Sequence, residues 1–263
     1  MKLYETMIDL FADVKDRDRE IRFIDGRNAE STLGFSELWE EALALLGSLQ
    51  QRGMRAGDEL IIFSTSNKSF VIAFWAAILG GVIPVPVAVG ISEEHKLKLF
   101  RILSQLENAT LFTEMDLLQR LLDFSNDREL ADITNLLETH AVLMSDVEPG
   151  IHGDVYAATP DDIAFIQYSS GSTSDPKGVV LTHRNLCINI RAIIEGAEFR
   201  EDDLALSWMP LTHDMGLIGY HLSVLAAGMN HAVIDTGVFV RRPLLWMRKA
   251  SELRATQLCS PNF

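Results

Sequence analysis

Five hydroxyl-bearing residues, two glycines and one lysine are packed into Ser169-Ser170-Gly171-Ser172-Thr173-Ser174-Asp175-Pro176-Lys177-Gly178. Residue types of this kind suit an anion. Small side chains let backbone N–H groups come close to a phosphate, the hydroxyls add donors, and Lys177 adds a compact charge with three rotatable N–H groups. The spacing is not that of a Walker A loop, because Pro176 stands where its second Gly belongs and Gly178 where Ser or Thr belongs. A G-x-S-x-G hydrolase elbow does not fit either, with Thr173 and Ser174 in the places its second Gly would need. By composition alone the string is also an ordinary Ser/Gly surface turn. A second polar group, His213, Asp214 and His221, invites a metal assignment. On a helix, however, eight residues would set the two histidines well apart around the axis, and no metal site is expected. Taken alone, His213 also reads as a core or capping histidine.

Such groups act only where rigid elements hold them, and the hydropathy pattern supplies those elements. A strand is predicted at Ile163–Tyr168, before the loop, and another at 179–182, after it. Upstream, one-sided periodicity at Leu38, Ala42, Leu45, Leu46 and Leu49 predicts a helix that Gly53 is placed to end. Strand 59–64, helix 68–79, strand 83–88, helix 93–107 and strand 110–113 follow, then polar-interrupted helices over 115–138 and a short strand at 141–144. This alternation predicts an α/β fold of layered, largely parallel sheets flanked by helices. Residues 145–160, rich in Asp, Gly and Pro, read as a loop or linker. Beyond the motif, Leu186, Ile190, Ile193 and Ile194 mark a helix face. Strand 205–209, an apolar helix over 217–227, strand 232–235 and a helix opened by Pro243 complete the pattern. No internal repeat is evident.

Residues 70–91 are uncharged and long enough to cross a bilayer by count, but Gly80-Gly81, Pro84 and Pro86 would break a spanning helix. A buried helix carrying Phe70, Phe74 and Trp75 in the core, followed by an extended segment, is expected instead. Asp123, Asp127, Glu129 and Asp132, interleaved with Arg128, read as a solvated face. The whole chain of 263 residues carries 23 Lys plus Arg against 37 Asp plus Glu, a net charge of −14, so its field repels nucleic acid and anionic lipid. Neither a nucleic-acid partner nor stable membrane insertion is expected, and an anionic ligand must be held by local dipoles. Cys187 and Cys259 form no C-x-x-C pair, and Asp9, Asp13, Asp16 and Asp18 interrupt any export signal, so a reducing, cytoplasmic setting is expected.

Tyr168-Ser-Ser-Gly-Ser-Thr-Ser-Asp-Pro-Lys-Gly-Val-Val-Leu-Thr-His-Arg-Asn-Leu186 closely resembles the phosphate-binding signature of the AMP-forming acyl ligases, the superfamily of acyl-CoA synthetases, luciferases and nonribosomal adenylation domains. Trp208-Met-Pro-Leu-Thr-His-Asp-Met-Gly-Leu-Ile-Gly219 is similar to the acyl-site segment of that superfamily, and its His-Asp-Met-Gly-Leu form is most similar to fatty acyl-AMP ligases. Ser260-Pro-Asn-Phe263 resembles a short segment that these ligases carry soon afterwards. Ser174 departs from the family's glycine, and Thr212 and Tyr220 depart from its Tyr and Gly. If position 174 needs a positive φ, serine there costs roughly 1 kcal/mol.

The resemblance implies ATP-dependent activation of a carboxylic acid, fatty or otherwise apolar, to an acyl-adenylate, with release of pyrophosphate and transfer to the thiol of coenzyme A or an acyl carrier protein. By position it implies that Ser169, Ser170, Gly171, Ser172, Thr173, Lys177 and Gly178 surround the phosphates of ATP, with Lys177 near the β/γ-phosphates and Mg²⁺ bridging phosphate oxygens. His213, with Asp214, Met215 and Gly216, would border the acyl carboxylate, and Met215, Leu217 and Ile218 would line the acyl tunnel. Lys177 and His213 are the implied catalytic residues. The resemblance further implies that residues 1–263 are an incomplete N-terminal domain with sub-layers at 59–183 and at 1–55 with 184–263. Nothing in them matches the family's later adenine-binding and Mg²⁺-binding segments or its C-terminal domain, so these residues alone are expected to be inactive. A noncatalytic docking module on the same fold and an amino-acid-activating adenylation domain are the alternatives.

Overall fold

The structure, a computed structural model, describes residues 2–26, 30–90, 92–148, 150–168 and 176–260. Thr6 opens the first helix, α1 (Met7–Val14), its Oγ1 accepting from the Asp9 amide at 3.0 Å, and the helix buries Met7, Leu10, Phe11 and Val14 on one face. The short strands β1 (Glu20–Ile24) and β2 (Ser31–Gly34) pair antiparallel. The predicted leucine stripe lies on α2 (Phe35–Gln51), where Leu38, Ala42, Leu45, Leu46 and Leu49 are all fully buried, and the chain leaves through Gly53 at φ +93°. Strand and helix then alternate through β3 (Glu59–Phe63), α3 (Asn67–Gly80), β4 (Ile83–Pro86), α4 (Glu93–Gln105), β5 (Ala109–Thr113), α5 (Met115–Asp127), α6 (Ala131–His140) and β6 (Ala141–Leu143). After a long connection come β7 (Ile163–Tyr168), β8 (Gly178–Thr182), α7 (His183–Gly196) and β9 (Leu204–Ser207). A π-helix over Met215–Leu222 runs into α8 (Ser223–Ala226). It is followed by β10 (Asn230–Ile234), α9 (Thr236–Arg241), α10 (Leu244–Leu253) and β11 (Gln257–Leu258).

The chain divides into two compact units. One comprises Glu40–Ala158 and Asp162–Thr182. Its four-stranded sheet, in the order β4-β3-β5-β6, is parallel throughout, and the β7–β8 pair adds an antiparallel hairpin with β7 alongside β4. Helix α3 is buried from Phe70 to Gly80, and residues 82–87 after it are buried too, so most of the uncharged stretch is core. No helix among the described residues is long and apolar enough to cross a membrane. Pro84 and Pro86 lie on β4, the edge of that sheet, where a missing N–H breaks no ladder. Asp123, Asp127, Arg128, Glu129 and Asp132 are all exposed.

The other unit comprises Met1–Trp39, Thr159–Asp161 and His183–Phe263, and its sheet runs β11-β9-β10-β1-β2. Only β2 is antiparallel there. Three expectations need correction. The apolar helix predicted over 217–227 starts at Met215 and is π-wound for eight residues, with the Ser223 amide reaching back five residues to Ile218 O. The strand predicted at 205–209 stops at Ser207, because Ser207 Oγ accepts from the Met209 amide at 3.0 Å and turns the chain. The strand predicted at 232–235 stops at Ile234, because Asp235 instead caps α9, its Oδ1 accepting from Val238 N at 2.7 Å.

Candidate functional site

The two strands that flank the hydroxyl-rich string form one antiparallel ladder, with Ile166 opposite Val180, Gln167 opposite Val179 and Tyr168 opposite Gly178. The segments on either side of residues 169–177 are therefore held together as a strand pair, with Tyr168 and Gly178 at its neck. The string's first seven residues, including the expected phosphate ligands Ser169, Ser170, Gly171, Ser172 and Thr173 and the departure Ser174, lie outside the described residues. Within them, Pro176 is buried while Lys177 and Gly178 are exposed. A Cβ on Gly178 would stand 2.8 Å from Ile166 Cγ2 and 3.3 Å from Tyr168 Cζ, so glycine keeps the neck narrow. Burial, reinforced by the charge of Glu59, pushes the Tyr168 phenol up and keeps it neutral. The described ion pairs of this unit join Arg52 to Asp146, Lys68 to Glu41, Arg128 to Glu93 and His152 to Glu40. None of them uses Lys177, whose ammonium has no described carboxylate within ion-pair distance.

The carboxyl end of the parallel sheet in the same unit is a second place where ligands often bind. Here its donors are already occupied. Glu114, at the end of β5, accepts from the Thr65 amide at 3.1 Å, the Ser66 amide at 3.3 Å and Ser64 Oγ, so this carboxylate closes the turn after β3.

His213, Asp214, Met215 and Gly216 belong to the other unit, in the turn between β9 and the π-helix. Trp208 stacks on Phe239 with ring centroids 3.8 Å apart, and Thr236 Oγ1 donates to Trp208 O at 2.9 Å, which anchors the start of the turn. The His213 amide donates to Pro210 O at 3.0 Å, and the Leu217 amide to His213 O at 2.9 Å. Asp214 caps the π-helix, its Oδ1 accepting from the Met215 amide at 2.7 Å. The same oxygen lies 2.6 Å from His213 Nδ1. The Met215 amide also points at His213 Nδ1, at 3.2 Å, and the imidazole is 56% exposed. Contact with an adjacent carboxylate is thus built into consecutive residues; His213 is not a core histidine, and its ring shares with Asp214 the capping of the Met215 amide.

Gly216 is buried against the turn, and a Cβ there would stand 2.1 Å from Pro210 O and 2.9 Å from Met209 O. Met215 is 39% exposed, whereas Leu217 is fully buried in the core beneath it. His221 is remote from this exposed edge, fully buried and hydrogen-bonded to His231. Among the described residues no group of three or more His, Cys, Asp or Glu side chains is placed to hold a metal ion. Both cysteines are free. Burial pushes the Cys187 thiol up to about 11 and raises that of Cys259, which suits inert thiols. The π-winding and the His221–His231 contact have no signature in the local sequence pattern.

The profile of the family described as AMP-binding enzyme matches residues 11–262. The chain is 28% identical over 263 residues to the long-chain-fatty-acid–AMP ligase FadD32 of Mycobacterium marinum, a match covering 97% of this chain and 41% of that protein. It is 28% identical over 271 residues to the medium-chain-fatty-acid–[acyl-carrier-protein] ligase JamA of Moorena producens, covering 99% of this chain and 45% of that one. Among solved structures, a fatty acid AMP ligase from Legionella pneumophila superposes with a TM-score of 0.86 at 26% identity, covering 98% of this chain and 44% of that chain. The chain thus spans less than half the length of these relatives. The layered α/β architecture and the motif resemblance both agree with these matches. With a profile that runs from α1 past β11 and takes in both polar motifs, the chain belongs to the AMP-binding enzyme family.

Proposed function

We propose that this protein activates a carboxylic acid, a fatty acid in particular, by ATP-dependent adenylation. The carboxylate oxygen attacks the α-phosphorus of ATP, the bond to the bridging oxygen of pyrophosphate breaks, and the acyl-adenylate passes its acyl group to a thiol of coenzyme A or an acyl carrier protein. One anion attacks another in this reaction, so the site must neutralise charge on the nucleophile's path and on the leaving group. The observation that carries the reading is the closed neck of the β7–β8 hairpin, with the exposed Lys177 beside it and a hydroxyl-rich sequence between the strands.

Ammonium, hydroxyl and amide donors fit a triphosphate, and Asp175 is the single carboxylate in the string. Ser169, Ser170, Gly171, Ser172 and Thr173 would surround the phosphates, Gly178 would close the neck, and Lys177 would stabilise charge on departing pyrophosphate. Mg²⁺ would neutralise phosphate oxygens when bound. On the other unit, His213, beside Asp214, would border the acyl carboxylate together with Met215 and Gly216. The names of the relatives, which specify fatty-acid–AMP and fatty-acid–acyl-carrier-protein ligation, favour an apolar acid and a carrier-protein acceptor.

The test is acid-dependent adenylate formation by the gene product at its natural length, followed by hydroxamate trapping and pyrophosphate release across fatty acids of increasing length. Turnover with at least one chain length is expected. Residues 1–263 by themselves are expected to give none, since the relatives are more than twice as long. If the natural-length protein binds ATP yet releases no pyrophosphate with any acid, a noncatalytic docking module is the better account.

A further inference from the structure

His221 and His231 lie ten residues apart in sequence, one on the π-helix and the other on β10, and both are buried. His221 Nδ1 is 3.2 Å from His231 Nε2, a hydrogen bond between two imidazoles shielded from water. Either nitrogen of the contact can be the donor, according to the tautomers of the two rings. Around the pair, Phe35 packs edge-on against His231 at 6.3 Å, and Ile21 and Ala205 are the strand neighbours of His231 on β1 and β9. None of these three neighbours of His231 is ionisable. Burial first, and the second ring for His221, keeps both imidazoles neutral near pH 7.

A π-helix has one residue too many per turn for good intrahelical geometry and persists where its surroundings hold it. Its first turn is held by Asp214 and by the close fit of Gly216 on Pro210. Its middle is held by Ser223, whose amide and whose hydroxyl, at 2.7 Å, both donate to Ile218 O. The histidine pair ties its last turn to the sheet.

We propose that His221 and His231 are positioning residues: their buried hydrogen bond fixes the register of the π-helix on β10, and through it the placement of His213 to Gly216 at the carboxylate-binding edge. This role rests on the adenylation reading above. It goes beyond that reading by assigning function to two side chains that touch neither substrate.

The experiment uses the natural-length protein and three variants. His231→Leu removes one partner of the His221–His231 bond, His231→Gln keeps a polar side chain that can donate or accept near the same point, and the double variant His221→Leu/His231→Leu removes both imidazoles and fills their place with apolar side chains. Two readouts are taken, KM for acid and for ATP, and amide hydrogen exchange resolved to residues 215–222. For His231→Leu and the double variant, exchange in 215–222 and KM for the acid are each expected to rise by about tenfold, the scale set by one buried hydrogen bond. KM for ATP and exchange in β3 and β5 should stay unchanged, and His231→Gln should behave as wild type. The double variant decides the matter if His231→Leu does not fold. Wild-type exchange and KM in the double variant would overturn the proposal, as would a parallel rise of both KM values with faster exchange throughout, which marks a merely structural pair. If the wild-type protein forms no adenylate, the adenylation reading fails separately. Exchange in 215–222 then decides alone, an unchanged rate counting against the positioning role.

Discussion

Lys177 and Gly178 sit at the neck of a two-stranded hairpin whose adjoining residues Val179 and Val180 are about half exposed, whereas Gly216, Leu217, His221 and Leu222 are buried in a π-helix. Both segments carry a polar motif, and they hold it by different means. At the hairpin one strand ladder pins the neck that carries Lys177 and Gly178, and both of these residues are exposed. The His213 turn is braced from below by the core, from its first residue by Pro210 and from its last turn by the sheet. Substitutions near the hairpin should therefore act on chemistry and those near the π-helix on structure, a contrast that can be tested quantitatively.

The largest effect is expected at Gly216. A Cβ there would meet the Pro210 carbonyl oxygen at 2.1 Å, and backbone cannot rotate away as a side chain does. Gly216→Ala should cost about 3 kcal/mol, the upper end of overpacking penalties, read as a lowered midpoint in urea unfolding. A near-wild-type midpoint would mean that the turn is not braced as described.

Lys177→Ala should do the reverse. Adenylate formation is expected to fall by about 10²-fold, as when one preorganised donor is removed, with stability changed by less than about 0.5 kcal/mol. A matching loss of stability would remove the contrast between the two regions.

Acid should act selectively on the buried side. Burial depresses His231 to about 4, and burial with the neighbouring imidazole holds His221 well below 6.5. In the unfolded chain both titrate near 6.5, so the unfolded state binds more protons and the stability carried by the neutral pair is complete above that pH. It declines as pH falls from 6.5 towards 4. Unfolding free energy at pH 5 relative to pH 7 should fall more in wild type than in the His221→Leu/His231→Leu variant. Equal slopes would remove the pair from the pH dependence.

The smallest effect is expected at Arg184 and Asp161, which follow β8 and precede β7. The guanidinium Nε lies 2.9 Å from Oδ1 and Nη2 lies 2.9 Å from Oδ2, and it holds the Asp161 carboxyl below the usual range. Both groups are exposed, however, and solvent screens the pair. Asp161→Asn should leave the unfolding midpoint unchanged; a measurable drop would show that closure at the foot of the hairpin contributes more than the ladder itself.

Much of this arrangement can be read from sequence, unevenly and for identifiable reasons. Ile163–Tyr168 is predicted to the residue because a β-rich run ends abruptly in Ser and Gly, and the α2 stripe is visible because its contacts repeat every three or four positions. The elements at the N-terminus, α1, β1 and β2, together with α9 and β11, are not predicted. Glu20 and Arg22 break the apolar run of β1, which gains its place by pairing with β10 more than 200 residues away, and β11 is two residues long. Of the site, Lys177, His213 and Asp214 are legible because their chemistry is written in adjacent residues. The antiparallel pairing across the loop and the partner of His221 are not, since each depends on register between segments.

The sequence by itself determined the order of strands and helices, the two polar motifs and the family they indicate, because these follow from local periodicity and from the donor chemistry of neighbouring residues. Only the tertiary structure decided that the strands flanking the first motif pair antiparallel, that Gly216 must lack a side chain, that the helix after His213 is π-wound, and that two histidines meet in the core. Those features arise from contacts between segments distant along the chain, where a shift of one residue in register changes every partner.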